Sequence, residues 1–343
     1  MENGLVKLES FKEIGSRLLP YAKTSLYANI NKKCFNKCTH CRNRKLDLPE
    51  PDEAAILESI SRIYPHMATT YLGGGEPLLS QKLLRRVLNF PSNLLTVTSA
   101  PRDLLSDYLQ RTGFFDKARF SKYATNPRTG ELEKLGKLDI LVSRHKLCDK
   151  ANNEFFGNEM MSFDGLDYLK KENILQGVLA TINKAGGMST ADEIVEYTCA
   201  FTEKDIPVFF NTLQKEVGDE NFYQENKVDD SEIERAKVKL CKLGFKKYKT
   251  RVSSGGYTVE SFYNNSQDYH TKVAFQKYHE NINETMEAWQ RADYVNYDFS
   301  MMPDGTIYFD ERFATGKGKK ADPKTLPKAK PVETRAFMWK VGL

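Results

Sequence analysis

The stretch Ser25-Leu26-Tyr27-Ala28-Asn29-Ile30, followed shortly by Cys34-Phe35-Asn36-Lys37-Cys38-Thr39-His40-Cys41, decides how this sequence is read. The first run alternates apolar and polar residues, as a strand with one face on a core does. The second is a CX3CX2C triplet on the loop that leaves this strand. Three thiols crowded into one short segment suit a metal or cluster site better than a disulfide framework, which spreads its cysteines through a small secreted chain. Iron–sulfur cubanes prefer thiolate ligands and present four irons. Three thiolates therefore leave one iron open to a chelating small molecule. The alternative is a zinc site completed by His40 or His145. Zinc ligands usually come as two separated pairs, and no second CX2C or HX3H pair accompanies the triplet.

The arrangement recurs further on. Thr69 to Leu72 reads as a strand, and Gly73-Gly74-Gly75-Glu76-Pro77 follows it. Glycines at that point let backbone N–H and C=O groups come close to a ligand. In open α/β sheets, ligands bind beyond the C-terminal ends of the strands, where this turn falls. A Walker phosphate loop is excluded, because the required Lys-Ser/Thr is missing.

Outward from these two loops, strand and helix alternate. Strands are predicted at 25–30, 69–72, 94–99, 138–145, 177–183 and 206–213. Between them come a helix opened by Pro51-Asp52-Glu53 with the stripe Ile56, Leu57, Ile60 and Ile63, and helices near 81–88, 103–110 and 163–171. A further helix starts at Thr190, where Thr190 and Glu193 have capping-box spacing. Residues 114–137 are poorly periodic and read as loops. Six βα units imply a parallel sheet, too few for an eight-stranded barrel, so the expectation is an α/β fold: an open, partial TIM-like (β/α)6 barrel over 25–213. Residues 1–24 read as a lead-in helix, with Leu8, Phe11, Ile14 and Leu18 at helical spacing. Residues 214–343 read as a smaller α+β extension: a helix at 230–243, a hairpin from 247–252 and 255–263, a helix at 279–290, and a hairpin at 297–310 turning at Pro303-Asp304-Gly305. That last hairpin is either structural or a cover for the barrel's open end. Residues 315–335, rich in Lys, Pro and Gly, read as an exposed mobile segment, and 336–343 as an apolar tail that docks back.

The bulk properties read as those of a soluble globular protein. The chain has 343 residues, 40% of them apolar and 28% charged, and a net charge of +5. That length supports a sizeable core. No apolar run is long enough to span a bilayer, and the N-terminus lacks the apolar region of a signal peptide, so the expected location is the cytoplasm, with no membrane partner. The mild positive charge favours anionic ligands slightly, and no base-reading motif points to nucleic acid. Besides the triplet there are Cys148, Cys199 and Cys241, too dispersed to suggest another cluster.

The CX3CX2C triplet after the first strand, together with Gly-Gly-Glu-Pro after the second, resembles the radical S-adenosylmethionine (SAM) superfamily, and most of all its branch containing the molybdenum-cofactor GTP cyclase. The resemblance covers about residues 24–213. It implies a partial (β/α)6 barrel, a four-iron, four-sulfur (4Fe-4S) cluster on Cys34, Cys38 and Cys41, and reductive cleavage of SAM to a 5′-deoxyadenosyl radical. It implies that the His40 backbone meets adenine and that Gly74, Gly75, Glu76 and Pro77 lie beside the SAM amino group. Thr98 and Ser99, Ser143 and Arg144, and Asn183 match further SAM-contacting strand ends, with Arg144 able to pair with the SAM carboxylate. The cyclase carries a second cysteine set near its C-terminus. This chain has no cysteine after Cys241, so one cluster is expected. The expected substrate is a small polar or anionic metabolite, such as a nucleotide, an amino acid or a natural-product precursor. The alternatives are modification of a ribosomally made peptide and, outside enzymes, a non-catalytic zinc-binding module. The expected electron donor is a flavodoxin or ferredoxin. Cys148 or a tyrosine could give a hydrogen atom to a product radical, but nothing in the sequence singles one out.

Overall fold

The computed structural model describes residues 23–41, 48–63, 67, 69–87, 94–111, 123–125, 132–134, 139–172, 174–214, 220–253, 256–266, 269–279, 284, 287–288, 291–292 and 294–309. The lead-in helix, the 315–335 segment, the apolar tail and nearly all of the 279–290 helix lie outside these residues.

The first half follows the expected rhythm. Strand β1 (Lys23–Asn31) leads to helix α1 (Glu53–Ile63), β2 (Thr69–Gly74), a 3-10 turn (Pro77–Ser80), α2 (Gln81–Val87), β3 (Leu94–Thr98) and α3 (Arg102–Arg111). A short hairpin, β4 (Tyr123–Thr125) with β5 (Leu132–Lys134), stands in the stretch read as loop. Then come β6 (Asp139–Ser143), α4 (Asp149–Phe156), α5 (Phe163–Lys171), β7 (Leu175–Ile182), α6 (Ala191–Thr202) and β8 (Val208–Thr212). The capping box at Thr190 and Glu193 forms as read. Strands β1, β2, β3, β6, β7 and β8 are neighbours in that order and all parallel. Their outer face and the apolar stripes of the helices form the main core, in which Leu26, Leu72, Ile140 and Val178 of the strands meet Ile56, Ile60, Leu105 and Ile194 of the helices.

The second half does not form a separate layer. After α7 (Glu220–Asn226) and α8 (Asp230–Lys242) come β9 (Phe245–Ser253), β10 (Tyr257–Ser266), β11 (Tyr269–Tyr278), β12 (Tyr294–Met301) and β13 (Ile307–Phe309). Strand β11 joins β8 in parallel, β10 runs antiparallel between β11 and β9, and β9 pairs in parallel with β12. Strand β12 then pairs in parallel with β1, Ser25 opposite Asp298 and Tyr27 opposite Ser300. The pairings thus run round a closed circuit of ten strands, with β13 flanking β12. The expected arc of six strands is present, but it is not left open: the residues read as an extension join the same sheet. Bare edges on β1 and β8 would expose two rows of unpaired N–H and C=O groups, and closure pairs them.

The 297–310 hairpin forms, and its turn rests on α1. Asp52 N donates to Pro303 O (2.8 Å), and Ser59 Oγ to Gly305 O (2.6 Å). Gly305 has φ +79°, and a Cβ there would lie 2.6 Å from the Ala55 carbonyl carbon. Of the two readings of this hairpin, these contacts favour the structural one. Among the described residues, no helix is long and apolar enough to cross a membrane.

Candidate functional site

The loop leaving β1 carries Cys34, Cys38 and Cys41, all half-buried and none in a disulfide. Most of it lacks regular structure; Cys41 N turns back to Cys38 O at 3.3 Å. The turn after β2 is bonded directly to this loop. Gly75 N donates to Asn31 O (2.9 Å), and Glu76 N to Lys33 O (2.8 Å). Asn31 Nδ2 donates in return to Glu76 O (3.0 Å) and to Ser80 Oγ (2.8 Å).

This close approach explains the glycines. Gly74 has φ +116°, and a Cβ on it would sit 2.3 Å from Asn31 O; a Cβ on Gly75 would sit 2.0 Å from Lys33 O. Both obstacles are backbone and cannot swing away. Gly73 differs, because a side chain there would meet nothing within 4 Å. Its missing side chain leaves open space at the C-terminal end of β2. Gly75→Ala is expected to push the two loops apart and cost about 1–3 kcal/mol or more, read as a lowered urea midpoint with unchanged slope. Gly73→Ala should be close to neutral in the same melt.

Glu76 is buried, at 1% exposure, and its side chain turns away from the cysteine loop toward β3. Oε1 accepts from Thr98 Oγ1 (2.6 Å) and Leu78 N (3.1 Å), while Oε2 accepts from Ser99 Oγ (2.6 Å) and Ser99 N (3.1 Å). Burial raises its pKa above the ordinary glutamate value of 4.5, and the hydrogen bonds from Ser99, Thr98 and Leu78 only partly oppose this. The ionised form is therefore less favoured in the folded protein than in the unfolded chain. The associated stability is fully present below about pH 4.5 and is lost as pH rises through the folded-state pKa. Glu76→Gln lacks this titration. Urea melts at stepped pH should show wild type losing stability relative to Glu76→Gln over that window; parallel curves would contradict the assignment.

The network continues into the cysteine loop. Ser99 Oγ, which donates to Glu76, accepts from Asn36 Nδ2 (2.7 Å), and Asn36 Oδ1 accepts from Asn158 Nδ2 (3.0 Å). Lys37 N reaches Phe156 O at the end of α4 (3.4 Å), and Thr39 Oγ1 reaches Ala185 O (3.3 Å). The His40 ring packs against His145 (4.9 Å between centroids) and Phe155 (5.5 Å). His145 Nδ1 accepts from Thr181 N at 3.1 Å, which assigns the proton of the neutral ring to Nε2. Burial, with the charges of His40 and Lys146 adding, holds His145 well below the ordinary histidine range, so it is neutral at pH 7.

The sequence-predicted site residues thus divide. Cys34, Cys38, Cys41, His40 and the turn Gly74-Gly75-Glu76-Pro77 come together at one end of the sheet. Thr98 and Ser99 stand beside them, but with their hydroxyls on Glu76. Ser143 is half-buried at the end of β6. Arg144 is buried at 1% exposure, and its guanidinium is turned to Asp149 Oδ1 (2.6 Å), Leu147 O (2.6 Å) and Met161 O (3.1 Å). That is a different engagement from the carboxylate pairing expected of it. Asn183 braces its own loop, accepting from Gly187 N (3.3 Å) and donating to Thr181 O (3.3 Å). Asn31, Asn36, Asn158 and Asp149 were not legible as parts of the site. The first two fall beside and within the cysteine motif, but spacing says nothing of polar residues between ligands.

Three reduced thiols on one loop, beside a glycine turn with an open side, suit an iron–sulfur cluster by donor chemistry. Among the described residues, no three His, Cys, Asp or Glu side chains are gathered closely enough to hold a metal ion, for the cluster or for zinc. The residues fit the group in kind, and the three thiols share one loop, where their side chains would draw together to hold it.

No protein-family profile matches the chain. No curated protein sequence matches it either. Solved structures similar to it include native anSMEcpe with bound AdoMet and the Cp18Cys peptide, at 14% identity and TM-score 0.41. The same protein with the Kp18Cys peptide gives 15% identity and TM-score 0.42. Each similarity covers 65% of this chain, which spans 60% of the length of those chains.

Proposed function

We propose that this chain is a radical SAM enzyme with one 4Fe-4S cluster, held by Cys34, Cys38 and Cys41. The observation that carries this reading is the joining of two loops at the C-terminal ends of adjacent parallel strands. Gly75 N and Glu76 N donate to Asn31 O and Lys33 O, setting the Gly-Gly-Glu-Pro turn against the cysteine loop. A bound cluster of this kind supplies the electron that splits the C5′–S bond of SAM, leaving methionine and a 5′-deoxyadenosyl radical that takes a hydrogen atom from a substrate.

The chain's own residues then bind, orient and shield. The Gly73–Gly75 turn offers backbone carbonyls and open space to the SAM amino group. The chain Asn158–Asn36–Ser99–Glu76 holds the cysteine loop against β3. The packed rings of His40, His145 and Phe155 form an aromatic cluster against the cysteine loop, which His40 belongs to. Arg144 is a SAM-carboxylate ligand only if it releases Asp149.

The substrate we infer is a small polar or anionic metabolite held within the ring of strands. Closure of the sheet and the hydroxyl groups of Tyr27, Tyr257 and Ser253 on its inner face support a polar substrate. A flavodoxin or ferredoxin would deliver the electron in the cytoplasm. The test is anaerobic reconstitution with iron and sulfide, then incubation with SAM and dithionite. Formation of 5′-deoxyadenosine supports the reading, and its absence in material with an intact cluster overturns it.

A further inference from the structure

Inside the ring, four tyrosines and a carboxylate form one connected array. Tyr27 of β1 stacks on Tyr71 of β2, with centroids 4.6 Å apart and planes within 7°. The Tyr27 hydroxyl meets the hydroxyl of Tyr257 on β10, three strands away round the ring, at 3.0 Å. Tyr257 donates to Asp298 Oδ2 at 2.5 Å, and Ser253 Oγ bonds the same oxygen. Tyr278 packs edge-on to Tyr257 at 5.5 Å. Tyr257, Ser253 and Asp298 have no exposed surface, whereas Tyr27 and Tyr71 are half-buried. The array thus runs from an accessible pair to a sealed carboxylate.

Its hydrogen bonds have a direction. Asp298 Oδ2 accepts from the Tyr257 hydroxyl. Tyr257 has one proton, which it gives to Asp298, so the Tyr27 hydroxyl is the donor to the Tyr257 oxygen. Such chained bonds strengthen one another. Tyr71 lies two residues before Gly73 on the same strand face, about 7 Å along the strand from the open space at that glycine. The Tyr27–Tyr71 pair therefore lies directly beneath the proposed SAM turn, on the wall a substrate would touch. The other candidate weighed from sequence, Cys148, is exposed at the start of α4.

We propose that Tyr27 is the hydrogen-atom donor to a carbon-centred radical generated in the ring, with Tyr257 and Asp298 as positioning residues; this rests on the radical SAM reading above. In the step, the Tyr27 O–H bond breaks and a C–H bond forms on the radical, leaving a neutral phenoxyl on Tyr27. A phenolic O–H is weaker than an unactivated C–H, so the transfer runs downhill. The Tyr257 hydroxyl can then turn its proton to the phenoxyl oxygen, and the Tyr71 ring covers one face. A one-electron reductant of the flavodoxin or ferredoxin class, with one proton from solvent, restores the phenol.

The test needs no substrate. Reconstituted protein is incubated in D2O with SAM and dithionite, and the 5′-deoxyadenosine is weighed by mass spectrometry. Wild type is expected to give 5′-deoxyadenosine with one deuterium from the exchanged Tyr27 O–D, and Tyr27→Phe to lower that fraction about tenfold. Asp298→Asn should lower it less. An unlabelled wild-type product, or equal labelling in Tyr27→Phe, overturns the proposal while leaving the radical SAM reading intact. No 5′-deoxyadenosine from cluster-loaded wild type overturns that reading instead. An independent readout places 3-fluorotyrosine at position 27 of the full chain and oxidises it with a flash-generated ruthenium(III) complex. A phenoxyl electron paramagnetic resonance signal split by fluorine supports the assignment; a signal without that splitting overturns it.

Discussion

Single changes of Cys34, Cys38 or Cys41 to alanine are expected to remove the cluster and reduce 5′-deoxyadenosine formation to background, while leaving the fold in place. The three thiols are half-buried on a loop that carries no strand pairing of its own, and the sheet beneath it is already closed. Loss of one sulfur therefore costs the protein little packing. It leaves a cubane with two protein ligands instead of three, which favours loss or degradation of the inorganic core. Circular dichroism and the urea midpoint should be near wild type, with iron content and product both collapsing. Changing Cys148, Cys199 or Cys241 in the same way should preserve both iron and product. A cluster retained in Cys38→Ala would contradict the ligand assignment.

Glu76→Ala is expected to be the most destabilising single change near the site, by about 3–5 kcal/mol. Four donors converge on that carboxylate, two of them backbone N–H groups that cannot reorient. Each buried donor left without an acceptor costs about 1–3 kcal/mol, and water entering the gap recovers part of the total. Because Ser99 also holds Asn36, the disturbance reaches the cysteine loop. Glu76→Gln keeps the shape and one acceptor oxygen and should lose far less. Equal losses in Glu76→Ala and Glu76→Gln would mean that volume, not acceptance, is what the site requires.

The parallel half of the sheet was legible because its strands announce themselves locally. Leu26-Tyr27-Ala28-Asn29-Ile30 alternates, and Thr69 to Leu72 runs into glycines. The helices between carry stripes such as Ile56, Leu57, Ile60 and Ile63. Strand β11 was missed: residues 264–278 were assigned no element, because Tyr269-His270-Thr271-Lys272 lacks an alternating apolar face and forms a strand through its pairing with β10. Ring closure had no local signal at all. It depends on β1 meeting β12, from the opposite end of the described chain.

The site shows the same division. Its residue types could be read, but their directions could not. Glu76 stands out in Gly-Gly-Glu-Pro, yet nothing in the sequence tells that it faces Thr98 and Ser99 rather than a ligand. Arg144 stands out at a strand end, yet its partner Asp149 depends on how α4 begins. Tyr27 and Tyr257, far apart in sequence, become a pair only when the sheet curls far enough for the two hydroxyls to meet.

On the proposed reading, the β1 loop holds an inorganic cubane with one iron left open. The most direct measurement is the iron and acid-labile sulfide content of protein reconstituted and purified without oxygen. A brown protein with about four irons and four sulfides per chain is expected, and both are lost when Cys34, Cys38 or Cys41 is changed. A colourless protein holding a single zinc, or one that takes up no iron and sulfide under the same conditions, would contradict it.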